Sequence, residues 1–175
     1  MLTVTKKLGG RQIATVLSRS APVLTLPFHE RSKSRLRTTL STGEEISIIL
    51  PRGTVMRGGD VLVTKDGRFV QVVADNQEVL RVTAGHPRDL LRAAYHLGNR
   101  HVPVEVGLDY LHLEFDPVLR DMLRHLGVQV ERAWMAFEPE HGAYGGGHGH
   151  DHLDASRQHP STSSIHSAAS IKEES

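Results

Sequence analysis

The sequence predicts an α+β protein in three parts: a small all-β domain over residues 1–75, a ferredoxin-like βαββαβ domain over 76–141, and a disordered histidine-rich tail over 142–175. Three observations predict it. The first block is built of short β-branched runs separated by turn signals, the second alternates strand and helix periodicities, and the third has little apolar content.

In the first block Glu45–Leu50, Asp60–Thr64 and Phe69–Val73 read as strands. Between them stand Ser41-Thr42-Gly43, Pro51-Arg52-Gly53, Arg57-Gly58-Gly59-Asp60 and Lys65-Asp66-Gly67-Arg68. The last is a hairpin turn, because Gly adopts positive φ without steric cost. Strands this short and this closely spaced predict a small barrel or a pair of packed sheets rather than an open sheet.

In the second block Glu78–Val82 reads as a strand, and Pro87 opens a helix in which Leu90, Leu91, Ala94 and Leu97 recur at helical spacing. Gly98-Asn99 is expected to stop it. Pro103–Val106 and Tyr110–Phe115 read as strands joined by a turn at Gly107-Leu108-Asp109. Asp116-Pro117 is an N-cap followed by Pro at the first helical position, and Val118, Leu119, Met122, Leu123 and Leu126 line one face until Gly127. A last strand runs through Val128–Glu131. The order β-α-β-β-α-β is the split motif of one sheet covered on one face by two helices. The other face needs cover, for which a second copy of the domain is one candidate.

The third block is rich in Ser and Gly and cannot offset its own ordering entropy. Of 12 histidines in the chain, six fall in the last 35 residues. The run His148-Gly149-His150-Asp151-His152 is a metal-binding tract of the His-rich kind, since alternate histidines let a flexible chain wrap several imidazoles around one cation. Asp151 offers an oxygen ligand, and the irregular spacing is unlike a purification tag. In the folded part His86, His96, His112 and His125 read as packed or solvated side chains, and His29 sits in a charged surface loop. His101 differs: it follows the helix stop, in a loop from which an imidazole can point outward.

The composition narrows the chemistry. With no cysteine there is no disulfide, iron–sulfur cluster, thiolate zinc site or cysteine nucleophile, so a metal must be held by imidazole and oxygen. No apolar run approaches the roughly 20 residues of a membrane span, and the first residues lack a leader's apolar stretch, so a soluble cytoplasmic protein is expected. Net charge is +1 overall, but the blocks carry about +6, −3 and −2. The basic first block suits an acidic protein partner or a nucleic acid. An RNA-binding module is disfavoured, because only 8 Phe, Trp and Tyr occur and Tyr110–Phe115 does not match a stacking motif. Enzyme readings also fail. His112-Leu113-Glu114 lacks a second ligand cluster or base, and there is neither a Gly-x-Ser-x-Gly elbow nor a phosphate or dinucleotide loop.

Gly98-Asn99-Arg100-His101-Val102-Pro103, preceded by Ala94-Tyr95-His96-Leu97, resembles the metal-binding signature of the UreE urease accessory proteins, a nickel metallochaperone family. Lys33-Ser34-Arg35, Leu50–Gly53, Arg57–Leu62, Asp121-Met122-Leu123 and Phe137–Tyr144 also resemble family segments, in the family's order, across nearly all of residues 30–152.

The resemblance implies an amino-terminal β domain of a peptide-binding type, a ferredoxin-like metal-binding domain, and a homodimer formed through the latter. It implies that His101 of both subunits binds one Ni(II) at the interface, with His150, His152 and His148 as tail ligands. A peripheral site of some members is expected to be missing, because Glu114, Phe115 and Pro117 stand in its place. The implied partners are the urease accessory GTPase UreG and the urease apoenzyme complex. A twofold axis turns one His101 into two ligands. Such a nitrogen-rich shell suits Ni(II) but also Zn(II) and Cu(II), with copper the tighter by the Irving–Williams order. Imidazole binds metal as the neutral base, so affinity should fall below about pH 6.5. A nickel storage or buffer protein that uses only the tail is the alternative.

Overall fold

A computed structural model of the chain describes residues 1–9 and 21–141. The tail candidates His148, His150 and His152 lie outside these residues.

The first part contains β1 (Leu2–Leu8), β2 (Val23–Leu26), a single helical turn α1 (Phe28–Arg31), β3 (Arg35–Thr39), β4 (Glu45–Ile49), β5 (Val61–Thr64) and β6 (Phe69–Ala74). They form one six-stranded mixed sheet in the order β2-β6-β5-β1-β4-β3. The alternation of β4 puts Ile46 and Ile48 inward, where they join Val4, Leu24, Leu62, Val70 and Val72 in one apolar cluster. At the β5–β6 turn Gly67 has φ +84°, and Thr64 seals the hairpin by donating its backbone N–H to Arg68 O at 3.0 Å. The sheet bends so far that its two edges meet at one end. Ser41 N donates to Val23 O at 2.9 Å, and Val23 N to Ser41 Oγ at 3.2 Å. Of the two expected arrangements this is nearer the barrel: a single curled sheet, not two packed ones.

Asp75 alone separates β6 from the second sheet. Here β7 (Asn76–Thr83), α2 (Pro87–Gly98), β8 (Glu105–Val106), β9 (Tyr110–Glu114), α3 (Pro117–His125) and β10 (Gln129–Ala136) follow in β-α-β-β-α-β order. Its strands are antiparallel, in the order β10-β7-β9-β8. Asp116 caps α3 as its sequence requires, Oδ1 accepting from Val118 N and Leu119 N at 2.8 and 2.9 Å. Leu80, Val82, Leu111 and Leu113 face Ala93 and Leu97 of α2 and Leu123 of α3. Gly107 closes the β8–β9 turn through its N–H to Tyr110 O at 2.9 Å, and a Cβ there would lie 2.3 Å from the Tyr110 ring.

The face of this sheet away from the helices carries a polar row. The Arg81 guanidinium lies 5.5 Å over the Tyr110 ring, Tyr110 stacks on His112 at 4.2 Å, and His112 Nδ1 is 3.3 Å from Glu105 Oε1. Exposed apolar side chains sit instead on the helix side, at Leu91, Tyr95 and Leu108. The open face of the sheet is thus covered by polar groups, and exposed apolar side chains stand at α2 and the β8–β9 turn.

Arg31, at the end of α1, joins the two sheets. It is fully buried. Its Nε donates to Leu26 O at 3.0 Å, one terminal nitrogen to Met56 O and Glu138 Oε1 at 3.1 and 2.9 Å, and the other to Phe137 O at 2.6 Å. Glu138 also accepts from Gly58 N at 2.8 Å and from Arg57 at 3.1 Å. Phe28 and Phe137 pack edge to face at 5.4 Å beside them. Removing Arg31 strands the carbonyls of Met56 and Phe137, leaves Leu26 O with only Asp75 N at 2.9 Å, and opens a void. Arg31→Ala should cost about 3–5 kcal/mol in urea unfolding, with Arg31→Lys intermediate, because an ammonium cannot span the same acceptors.

Candidate metal centre

The centre is built at the carboxyl end of α2. His86 caps the other end, its Nδ1 accepting from Arg88 N at 3.2 Å ahead of Pro87. Along the helix Ala93 and Leu97 are buried, while Leu91 and Tyr95, four residues apart on one stripe, are 70% and 66% exposed.

The way α2 ends decides where His101 points. Val102 N donates to Leu97 O at 3.2 Å and His101 N to Gly98 O at 2.9 Å, the paired six-to-one and five-to-two bonds of a Schellman cap. Leu97 and Val102 supply the apolar contact of that motif by packing in the same core cluster. The residue at its left-handed position is His101, with φ +55°. Glycine is usual there. His101 is the one non-glycine with positive φ among the described residues, and it is exposed. Gly98-Asn99 ends the helix as expected, Gly98 being its last residue and Asn99 its cap, and the left-handed turn follows at His101.

Beyond His101 the chain is held against the segment that leaves β10. Glu140 N donates to Val104 O at 2.8 Å. This brings His141 to a cleft of about 560 Å³ whose wall includes Phe28, Arg57, Ala94, Gly98 and His101. His141 is a candidate that the sequence reading passed over; its signal was its place directly after the Phe137–Glu140 segment. Among the described residues no three potential ligands converge on one point. His101 is thus a single exposed imidazole, presented by the backbone and short of a complete coordination shell.

The other histidines are otherwise engaged. His125 Nδ1 lies 2.7 Å from Asp121 O, His96 stands edge-on to Tyr95, and His29 Nε2 is 3.9 Å from Glu30. His112 is buried against Glu105, with Nε2 lacking a partner among the described residues. Glu114, which shares its strand face, accepts from Gln77 at 2.9 Å. The His112-Leu113-Glu114 run is spent on packing.

The comparisons with known proteins concern the chain as a whole. Family models described as UreE urease accessory protein, N-terminal domain, and UreE urease accessory protein, C-terminal domain, match residues 4–75 and 77–167. The chain belongs to the UreE urease accessory protein family. It is 61% identical to the urease accessory protein UreE of Cupriavidus necator over 153 residues, 87% of this chain and 80% of that one. Against UreE of Cupriavidus pinatubonensis the identity is 60%, over 87% of this chain and 69% of that one. Against UreE of Ralstonia nicotianae it is 59%, over 87% and 72%. No helix among the described residues is long and apolar enough to cross a membrane.

A non-glycine residue at a left-handed position stores strain of about 1 kcal/mol or more. His101→Gly should therefore raise stability by about 0.5–1 kcal/mol in urea unfolding, whereas His101→Ala, which keeps the strain, should not. A fall in stability for His101→Gly would show that the imidazole is held by packing.

Proposed function

We propose that this protein is a nickel metallochaperone that delivers Ni(II) to the urease apoenzyme, with His101 as its central ligand. The observation that carries the reading is the left-handed cap of α2, which holds an exposed imidazole where glycine would cost less. In the proposed homodimer, Leu91 and Tyr95 of α2 and Leu108 of the β8–β9 turn bury their exposed apolar surface against a second copy. Such an axis beside α2 supplies two His101 imidazoles to one ion. The tail begins at the same cleft, where His141 lies, so His148, His150 and His152 need to span only a short length of chain to reach it.

Each protomer offers the ion a partial site. A shell shared between two subunits and two tails can be dismantled one ligand at a time by a receiving protein, for which the accessory GTPase UreG is the proposed partner. Nothing in this ligand set prefers nickel to Cu(II), so selectivity rests with metal supply and with the receiver, and Zn(II) competes as well. The protein is proposed to act in the cytoplasm and to catalyse no reaction of its own.

Titration calorimetry with light scattering tests the reading on the full chain, on a chain ending at Tyr144, and on His101→Ala. The expected result is one tight Ni(II) site per dimer, lost in His101→Ala, with truncation lowering stoichiometry or affinity. Loss of all binding with the tail, and none with His101→Ala, would instead make the protein a tail-based nickel buffer on a dimeric scaffold. In reconstituted urease activation, a truncation that leaves the nickel transfer rate unchanged would remove the tail from the mechanism.

A further inference from the structure

Among the described residues the first sheet ends in an edge strand with no further neighbour. β3 is its last strand. Ser34 O accepts from Leu50 N at 2.8 Å and Leu40 N donates to Glu44 O at 2.9 Å, at the two ends of the antiparallel β3–β4 register. Bonded pairs alternate in such a ladder, so Leu36 and Thr38 bond inward to β4. The N–H and C=O groups of Arg35, Arg37 and Thr39 then point away from the sheet. The side chains of these three residues are also the exposed ones of the strand.

The same edge is strongly cationic. Lys33, Arg35, Arg37 and Arg52 are exposed, and none of them forms an ion pair among the described residues. Lys33, Arg35 and Arg52 share the wall of one shallow cleft with Leu50 and Pro51. The carboxylate of the neighbouring strand, Glu45, stands at the far end, opposite Thr39. There the Ser41–Val23 bonds already tie the edge to β2, which leaves the Arg35–Arg37 stretch open.

We propose that the β3 edge binds an extended acidic segment of a partner protein by strand addition, through the outward main-chain groups of Arg35 and Arg37. Main-chain bonds give this mode its affinity, and side chains at alternate positions give it specificity. Arg35 and Arg37 lie on one face two residues apart, so the matching segment carries a carboxylate at every second residue. Charge complementarity selects acidic segments and speeds encounter. Arg35 and Arg37 do not line the cleft of His101, so a partner held there would not occupy that imidazole.

The test uses the full chain and a fluorescent eight-residue peptide alternating glutamate with threonine. Binding is expected by fluorescence anisotropy, together with slowed hydrogen exchange of the Arg35 and Arg37 amides. Arg35→Glu with Arg37→Glu should weaken binding about tenfold or more. Arg37→Pro, which deletes an outward N–H and leaves the β4 ladder intact, should weaken it while keeping the circular dichroism spectrum. A peptide of the same charge N-methylated at alternate residues should fail to bind. If it binds equally, or if Arg35 and Arg37 gain no protection, the cations only guard a bare edge and the proposal falls. Equal affinity for a single-stranded oligonucleotide would overturn it in favour of nucleic acid. Amides protected in the full chain but released in the chain ending at Tyr144 would overturn it in favour of the protein's own tail.

Discussion

The contact between buried Arg31 and half-buried Glu138 sets the geometry on which the rest depends. α1 is a single turn, too short to be stable alone, and its four residues hold shape because Arg31 binds carbonyls from Leu26, Met56 and Phe137. Burying a guanidinium is costly, and a well-made ion pair roughly breaks even against that cost. Its value here is register. The acceptors come from β2, from the loop before β5 and from the end of β10, so the contact forms only when both sheets are in place. The segment after Glu138 then runs beside Val104, and Glu140 and His141 arrive next to the loop of His101.

Glu105 ties the second sheet into the same node. One carboxylate oxygen accepts from Glu138 N at 2.7 Å and the other faces His112 Nδ1 at 3.3 Å. With the His112 proton on Nδ1, that nitrogen donates to Glu105 and the unpaired Nε2 is left as a bare acceptor. A neutral acceptor without a partner costs less than an orphaned N–H or a buried charge would. The histidine is held by the polar row of Tyr110 and Arg81 rather than by any ligand, consistent with its burial.

The second sheet was legible because each of its elements carries its own period, although its strands lie in the order β10-β7-β9-β8 and not in chain order. β10 was cut short at Glu131 although it runs to Ala136, since Arg132-Ala133-Trp134-Met135 shows no clean alternation. The first sheet was half legible. β1 pairs parallel with β4, β2 is only Val-Leu-Thr-Leu, and β3 holds one apolar residue in five, so nothing local marks them as strands. Arg31 read as part of a charged surface loop because its partners lie up to 107 positions away. His101 was legible as an outward loop residue, and its backbone was not. The helix does end at Gly98-Asn99, but the left-handed turn beyond it falls on a histidine where glycine is usual, set by the bonds from Val102 and His101.

That substitution of histidine for glycine also fixes the electrostatics of the centre. The left-handed turn reverses the chain just beyond the last carbonyls of α2, at the negative end of its dipole, where a cation gains about 0.3–1 kcal/mol. Arg100 already exploits that end by donating to His96 O at 3.0 Å. A metal on the imidazole would meet the same field without competing for that carbonyl. The strain at His101 and the favourable field are opposite in sign and similar in size. The backbone would then, on the proposed reading, aim His101 at nearly no net cost with a cation bound, and at a small cost without one. On the proposed reading, that leaves the affinity of each half-site to the number of imidazoles assembled around it, which is the quantity a receiving protein can change.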